Sequence, residues 1–416
     1  MIYDVIVIGA GAAGLMAGAE SARRGLSTLL LERNSRPARK MMITGKGRCN
    51  VTNFCDVDTF IKNVRSNPRF LYSAVNALTP QDLMKIIEQQ NVPLKVERGN
   101  RVFPVSDKAV DIVDAVVGYC KKSGAEIFQA EAQKIRKNSD GDFEIISSGD
   151  ITHRSKSVII ATGGKSYPQT GSVGDGYRFA ESFGHSIVGI RPSLIPIVTN
   201  EKYCADMMGL SLKNVTLTLT DKSKKKPKQI FNELGELLFT HFGISGPLVL
   251  SASTFIDPLD LDKYSLLIDF KPGLTLDALD KRIQKDFVKY SNRDFANALD
   301  DLLPSKAIAV MVELSGIGGE TKVNQISKKD RLSFANLLKN FPITIKELRP
   351  IKDAVVTAGG VSVKEINPAT MESKIVPNLY FAGEVIDLDG YTGGFNLQIA
   401  FSTGFVAGNS VLMDLN

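Results

Sequence analysis

A β-branched run, Ile2 to Ile8, leads straight into Gly9-Ala10-Gly11-Ala12-Ala13-Gly14. No other feature constrains the fold as much. Leu15, Met16, Ala19 and Ala22 follow at helical spacing, and Gly25 ends that helix. Ser27 to Leu31 is a second apolar strand, closed by Glu32 18 residues after Gly14. Strand, glycine turn, helix, strand and acid in this order make a dinucleotide-binding βαβ unit. Gly9 makes the tight turn, Gly11 lets backbone approach a pyrophosphate, and Gly14 lets helix pack on sheet. The first-turn N–H groups, those of Ala12 and Ala13 among them, and the positive helix end face the diphosphate. Glu32, with Arg33 beside it, is expected at the ribose, accepting hydrogen bonds from both hydroxyls. A glutamate there disfavours a 2′-phosphate, which leaves FAD or NAD(H).

Two further segments decide for FAD. Arg39 to Asn53 follows the second strand and should lie at the carboxyl edge of the sheet, where ligands bind. Lys40, Thr44, Gly45, Gly47, Arg48, Cys49 and Asn50 are its candidate cofactor contacts, with Lys40, Lys46 and Arg48 supplying positive charge. Near the carboxyl end a short strand, Asn378 to Ala382, leads into Gly383, Glu384 and Asp387. An acid after a strand-end glycine suits a ribityl chain. Gly393, Gly394, Phe395, Asn396, Leu397 and Gln398 then open a helix whose positive end suits the flavin N1–C2=O edge. Ala132 and the strand end Ala161-Thr162-Gly163 complete the expected cofactor contacts. No second GxGxxG unit occurs, so a separate nicotinamide Rossmann domain is not expected.

GKGRCNVTN, ATGGKSYPQTGSVGDG, LFTHFGISGP, VTAGGVSVKEINPATMESK and FAGEVIDLDGYTGGFNLQIAFSTG occur in that order. On these motifs the chain resembles the BaiN/aminoacetone-oxidase-like family of FAD-dependent oxidoreductases over nearly its whole length. The resemblance implies FAD and a three-part architecture. One departure is Gly45-Lys46-Gly47, where many relatives have three glycines.

The expected fold class is α/β: a discontinuous, glutathione-reductase-like Rossmann domain for FAD over 1–190 and 351–416. A β-rich unit (191–273 and 341–350) and a helical unit (274–340) are inserted in it. The lysine run Lys222, Lys224, Lys225, Lys226 and Lys228 falls in a turn between inserted strands and reads as a solvated hairpin tip.

Hydrophobic residues at 43% and charged residues at 23% exclude a disordered or fibrous chain. The excess of 51 Lys and Arg over 45 Asp and Glu, +6, is too small to imply nucleic acid by itself. Cys49, Cys55, Cys120 and Cys204 lack CxxC or Cys/His spacing, so neither a metal site nor a disulfide framework is expected. No run reaches the ~20 apolar residues of a membrane span. The chain is expected to be soluble and cytoplasmic, with a small-molecule substrate, no membrane and no nucleic-acid partner. Its oligomeric state is unreadable.

With 3 histidines and no tryptophan, side chains for proton transfer are few. His241, beside Gly243-Ile244-Ser245-Gly246-Pro247, and Tyr391 are the catalytic candidates. His185, after the helix stop at Gly184, reads as structural. The leading functional expectation is hydride transfer between flavin N5 and a small organic substrate, with NAD(P)H as electron donor to a carbonyl or activated alkene. The alternatives are an aminoacetone-type amine oxidase releasing peroxide, and a flavin-stabilised module that binds RNA or protein.

Overall fold

A computed structural model describes residues 2–223 and 225–412; Lys224 lies outside the described residues. Contacts divide the chain into two units, Met1–Ser193 with Ile351–Asn416, and Leu194–Pro350.

The first unit is built on a seven-stranded sheet. Glu126–Gln129, Thr28–Glu32, Ile2–Ile8, Ile151–Ile160 and Leu379–Phe381 run parallel in that order. Ile6 and Val7 on one strand, and Val158 and Ile159 on its neighbour, are fully buried, as strands covered on both faces must be. The sheet continues antiparallel through Phe143–Ser147 and Ala132–Lys137. That antiparallel extension was not expected, because Ala132–Lys137 alternates with charge around an Asn138–Asp142 turn and buries only Ala132 and Ile135. Leu94–Glu97 and Arg101–Pro104 form a hairpin around Arg98-Gly99-Asn100, joined by Thr52–Asn53 into a three-stranded sheet.

The helix after the glycine turn, Ala12–Arg23, packs on the closing helix, Phe395–Ser410. Small residues allow it. A Cβ at Gly404 would sit 2.3 Å from the Ala13 carbonyl oxygen, and one at Gly408 2.3 Å from that of Ala17. The last described helix is thereby fixed against the first.

His185 is buried here, T-stacked on Phe381 at 4.8 Å. Its Nε2 lies 2.8 Å from Ser373 Oγ and its Nδ1 3.2 Å from Glu365. Burial pushes its pKa down from 6.5 despite that carboxylate. Ser373 Oγ also accepts from the Ile375 and Val376 N–H groups, so the trio closes a turn.

The second unit is a seven-stranded antiparallel sheet. Ser211–Asp221 and Lys228–Thr240 are its long central pair. The sequence alone suggests two short strands, Gln229 to Phe231 and Glu236 to Phe239, where Lys228–Thr240 runs unbroken; the partner strand supplies the ladder across Asn232–Gly235. Helices Leu276–Lys289, Ser305–Ser315 and Lys328–Lys339 share one hydrophobic core with the sheet, joining Leu217 and Ile268 to Ile283, Val310 and Phe334.

Candidate cofactor site

The glycine turn closes by backbone contact. Gly9 donates to the Leu31 carbonyl at 2.8 Å and holds a φ of 99°. A Cβ at Gly14 would lie 1.9 Å from the Gly9 oxygen, so only glycine fits. Gly11 differs: a Cβ there meets no protein atom within 4 Å. That open space fronts the first turn of Ala12–Arg23, whose N-terminus no side chain caps. Open space before an uncapped helix N-terminus is the kind of cradle that a diphosphate uses. Thr162 Oγ1, at the end of the neighbouring strand, is buried and has no partner among the described residues. Cradle and orphaned hydroxyl both fit FAD.

Glu32 is 7% exposed and already occupied in part. Its Oε2 accepts from the Ala10 N–H at 2.9 Å, and its Oε1 from Asn34 N and Nδ2 at 2.9 and 2.6 Å. A carboxylate has about four acceptor positions, so one is left for a ribose hydroxyl where two were expected. One charge-assisted hydrogen bond is worth ~1.5–3 kcal/mol. Glu32→Ala is therefore expected to weaken FAD binding roughly 10- to 100-fold with the fold retained. Flavin release followed during dialysis checks this, and unchanged retention removes Glu32 from the ribose.

Arg33 turns away into Asp175 (2.6 Å) and Glu131 (2.9 Å). Burial raises the Asp175 pKa, and the Arg33 charge opposes it. Ala130 donates to the Glu32 carbonyl, and Ala132 begins the adjoining antiparallel strand, buried. Ala161 donates to the Ile8 carbonyl, beside Gly163 at φ 76°.

The loop after the second strand folds as a short helix, Arg39–Ile43, and a tight turn with Gly45, Lys46, Gly47 and Cys49 all at positive φ. Thr44 Oγ1 donates to the Met41 carbonyl, and Asn50 Oδ1 accepts from the Val102 N–H. Arg48 lies over the Phe103 ring at 4.0 Å and pairs with Glu97 and Asp107, which uses up the charge expected for a phosphate. The Cys49 thiol is fully buried, and burial pushes its pKa up to about 12. It is a packed thiol and no nucleophile.

Three segments meet at Glu384. Its Oε2 accepts from Lys40 Nζ at 2.5 Å, and its Oε1 from Ser166 Oγ at 3.0 Å and the Thr357 N–H at 2.8 Å. Lys40 also donates to Ser166 Oγ at 2.6 Å. Asp387 accepts from Asn67 Nδ2 at 2.8 Å, and burial raises its pKa, helped by nearby Asp389. Gly383 donates to Thr403 Oγ1, and a Cβ on it would lie 2.8 Å from the Ala13 Cβ. Ser166, Asn67 and Thr357 were not foreseen; Ser166 and Thr357 lie inside the motifs ATGGKSYPQTGSVGDG and VTAGGVSVKEINPATMESK.

The closing helix starts at Gly394 (φ 102°), and no side chain caps it. Asn53 Nδ2 donates to the Gly393 carbonyl at 3.0 Å. Phe395 packs on Phe60 at 5.3 Å, and Leu397 is half-buried. Asn396 spends its amide on the Gly390 turn. Gln398 is fully buried, accepting from Thr52 Oγ1 and donating to Leu78 O and Ser402 Oγ. Both amides thus tie protein to protein. Tyr391 is half-buried, its N–H on the Asn63 carbonyl.

His241 belongs to the second unit. It is exposed at the turn between Lys228–Thr240 and Gly243–Ser245. It lines a cavity of about 450 Å³ with Glu201, Lys202, Asp206, Phe242 and Lys346. Among the described residues no cluster of His, Cys, Asp and Glu could hold a metal. No described helix is long and apolar enough to cross a membrane. All four cysteines are free and buried.

A family model described as the HI0933-like protein Rossmann domain matches residues 3–410. A ribosomal RNA dihydrouridine synthase of Haemophilus influenzae is 31% identical over 98% of this chain and 98% of its own. One of Escherichia coli K12 is 29% identical over 99% and 98%. A 3-dehydro-bile acid delta(4,6)-reductase of Clostridium scindens is 26% identical over 97% and 98%. Among solved structures, a 3-ketosteroid delta1-dehydrogenase from Sterolibacterium denitrificans matches 99% of both chains at 12% identity and a TM-score of 0.51, a likeness of fold. The expectation of no nucleic-acid partner is overturned by two full-length relatives named as ribosomal RNA dihydrouridine synthases. The modest net charge of +6 could not reveal this, because net charge averages over the whole surface and hides a local patch.

Proposed function

The chain belongs to the HI0933-like family of FAD-dependent oxidoreductases, and from that premise we propose that it reduces the C5=C6 bond of a uridine in ribosomal RNA, with NAD(P)H as electron donor. The observation that carries this is end-to-end similarity to two ribosomal RNA dihydrouridine synthases, each covered over 98% of its own length. The bile-acid reductase supports the reaction type, since uracil and a dienone both present a double bond conjugated to a carbonyl. Bound FAD supplies the hydride for such a bond. In this reading the Gly11 cradle holds the diphosphate and Glu32 the ribose, while Glu384 and Asp387 face the ribityl chain. The uncapped N-terminus of Phe395–Ser410 would offer its positive end to the flavin ring. His241 and Tyr391 are the proposed proton donors to the second carbon. Cytoplasmic localisation is part of the same proposal, on the ground that its substrate would be ribosomal RNA.

The test is an anaerobic titration of the flavin band with NADH and NADPH. Ribosomal RNA from a strain deleted for this gene is then added, and its fragments are weighed for a gain of two hydrogens. Modified uridine is expected, with His241→Ala or Tyr391→Phe slower at full flavin content. Reduced protein that leaves RNA untouched yet consumes a steroidal dienone would replace RNA by a small enone. Peroxide release with an amine would replace both by the oxidase.

A further inference from the structure

We propose that the lysine-rich tip between strands Ser211–Asp221 and Lys228–Thr240 docks on the RNA phosphodiester backbone, an inference that rests on the ribosomal RNA reading above. Five of the seven residues from Lys222 to Lys228 are lysine; the others are Ser223 and Pro227. No acid follows Asp221 until Glu233. Lys222, Lys225, Lys226 and Lys228 are exposed, and none makes an ion pair or hydrogen bond through its ammonium among the described residues. Most other lysines of this unit are likewise without a carboxylate partner among the described residues, with four exceptions. Lys263, Lys289, Lys322 and Lys339 each hold a carboxylate. Asp257 and Asp260, on the loop that adjoins the hairpin through the Lys222 N–H to Lys263 carbonyl bond, are taken up by Lys263. Among the described residues, then, the ammonium groups of Lys222, Lys225, Lys226 and Lys228 hold no carboxylate.

The mounting is firm. Asp221 pairs with Lys228 on one side and with Tyr264 on the other, so the ladder is complete to the last residue before the turn. Asp221 Oδ1 accepts from the Ser223 N–H at 2.8 Å, which shapes the turn's start. Like charges this close repel within the ~8 Å Debye length of physiological salt. A turn needs only Gly, Asn, Asp or Pro to form. A polyanion relieves the repulsion, and its binding is driven by counterion release.

The residue types say how RNA is held. Lysine is a point charge that suits phosphate without fixed geometry. The run has no arginine fork to read a base edge and no aromatic ring to stack on one. The tip thus supplies affinity and salt dependence but no choice of uridine. It also has no apolar side chain to enter a bilayer, since Ile230 is half-buried and Phe231 buried in the sheet.

The test replaces Lys222, Lys225, Lys226 and Lys228 with glutamine and measures binding to protein-free ribosomal RNA from 50 to 300 mM salt. Four lost contacts at ~0.7 each should flatten the log–log salt slope by about 3. Affinity at 150 mM should fall at least tenfold. A lysine-to-arginine set should keep both. Flavin spectrum and melting temperature serve as controls on folding. Unchanged affinity and slope would overturn the proposal, as would lysine-dependent binding to anionic vesicles with RNA binding intact. Lysine-dependent RNA binding without any dihydrouridine formed would leave the docking surface standing and sink the uridine reading. Dihydrouridine formed with the same KM for RNA in the glutamine variant would do the reverse.

Discussion

Gly394→Val is expected to yield protein without flavin and with a melting temperature lowered by several degrees, whereas Gly11→Ala is expected to lose flavin and keep its stability. The two glycines are open to substitution in opposite senses. Gly394 holds φ 102°, and a Cβ on it would lie 2.3 Å from both the carbonyl carbon and oxygen of Thr52. That neighbour is backbone and cannot rotate away. Thr52 is itself held by Gln398, and Asn53 by the Gly393 carbonyl. A side chain at Gly394 thus pries the 39–53 loop from the closing helix. The strained φ alone costs ~1–3 kcal/mol. Gly11 sits at φ −81° with nothing within 4 Å of a built Cβ, so alanine strains nothing there. Its methyl would occupy the cradle in front of the helix N-terminus. The ratio of flavin to protein absorbance and a melting curve read both variants. Flavin retained by Gly11→Ala at full stoichiometry would mean that the diphosphate does not use this cradle.

The difference between those glycines marks where sequence reasoning works. The βαβ unit is local. Ile2 to Glu32 carries its strand, turn, helix and acid within one window, and each forms where the pattern puts it. Thr79 likewise caps its helix through the Asp82 N–H, as the Thr-Pro signal implies. Ser106 shows the limit of such a signal. A serine there reads as a cap for the next helix, but its hydroxyl accepts from the Lys108 N–H, and the helix starts later, at Ala109. Capping signals locate a boundary only to within a few residues.

Charge partners are the less legible part. Arg48 reads as a free cation in a cofactor loop, yet Glu97 and Asp107, 49 and 59 residues on, neutralise it across the small three-stranded sheet. Nothing in the spacing foretells that pairing. Gln398 and Asn396 stand at a helix start where a flavin contact is chemically natural, but their amides are used by Thr52, Leu78 and Gly390. The helix Pro247–Ser253 was visible in principle, because proline at the first helical position follows Gly246. The long hairpin was obscured by Asn232 to Gly235, polar or flexible residues that only a partner strand could hold extended.

Lys40→Met is expected to lower the apparent melting temperature by about 4–8 °C, and Lys40→Met with Glu384→Gln to recover at least half of that loss. The Lys40 and Glu384 side chains are 24% and 17% exposed. Removing one member of a fully buried pair costs ~3–5 kcal/mol, because the other charge is left without compensation. Partial exposure lets water screen that charge, which brings the expected cost to roughly 2–3 kcal/mol. For a unit of this size each kcal/mol moves the midpoint by about 2 °C or slightly more. Methionine keeps the length and packing of the lysine stem, so the loss reports charge and not a cavity. Glutamine at position 384 removes the stranded charge, and its carbonyl oxygen can still accept from Thr357 and Ser166. The double variant should regain stability without regaining the Lys40–Glu384 tie. Its flavin should dissociate faster than that of the native protein at equal stability. A single variant that melts like the native protein would show that water screens the pair fully and that Ser166 and Thr357 alone hold Glu384 in place.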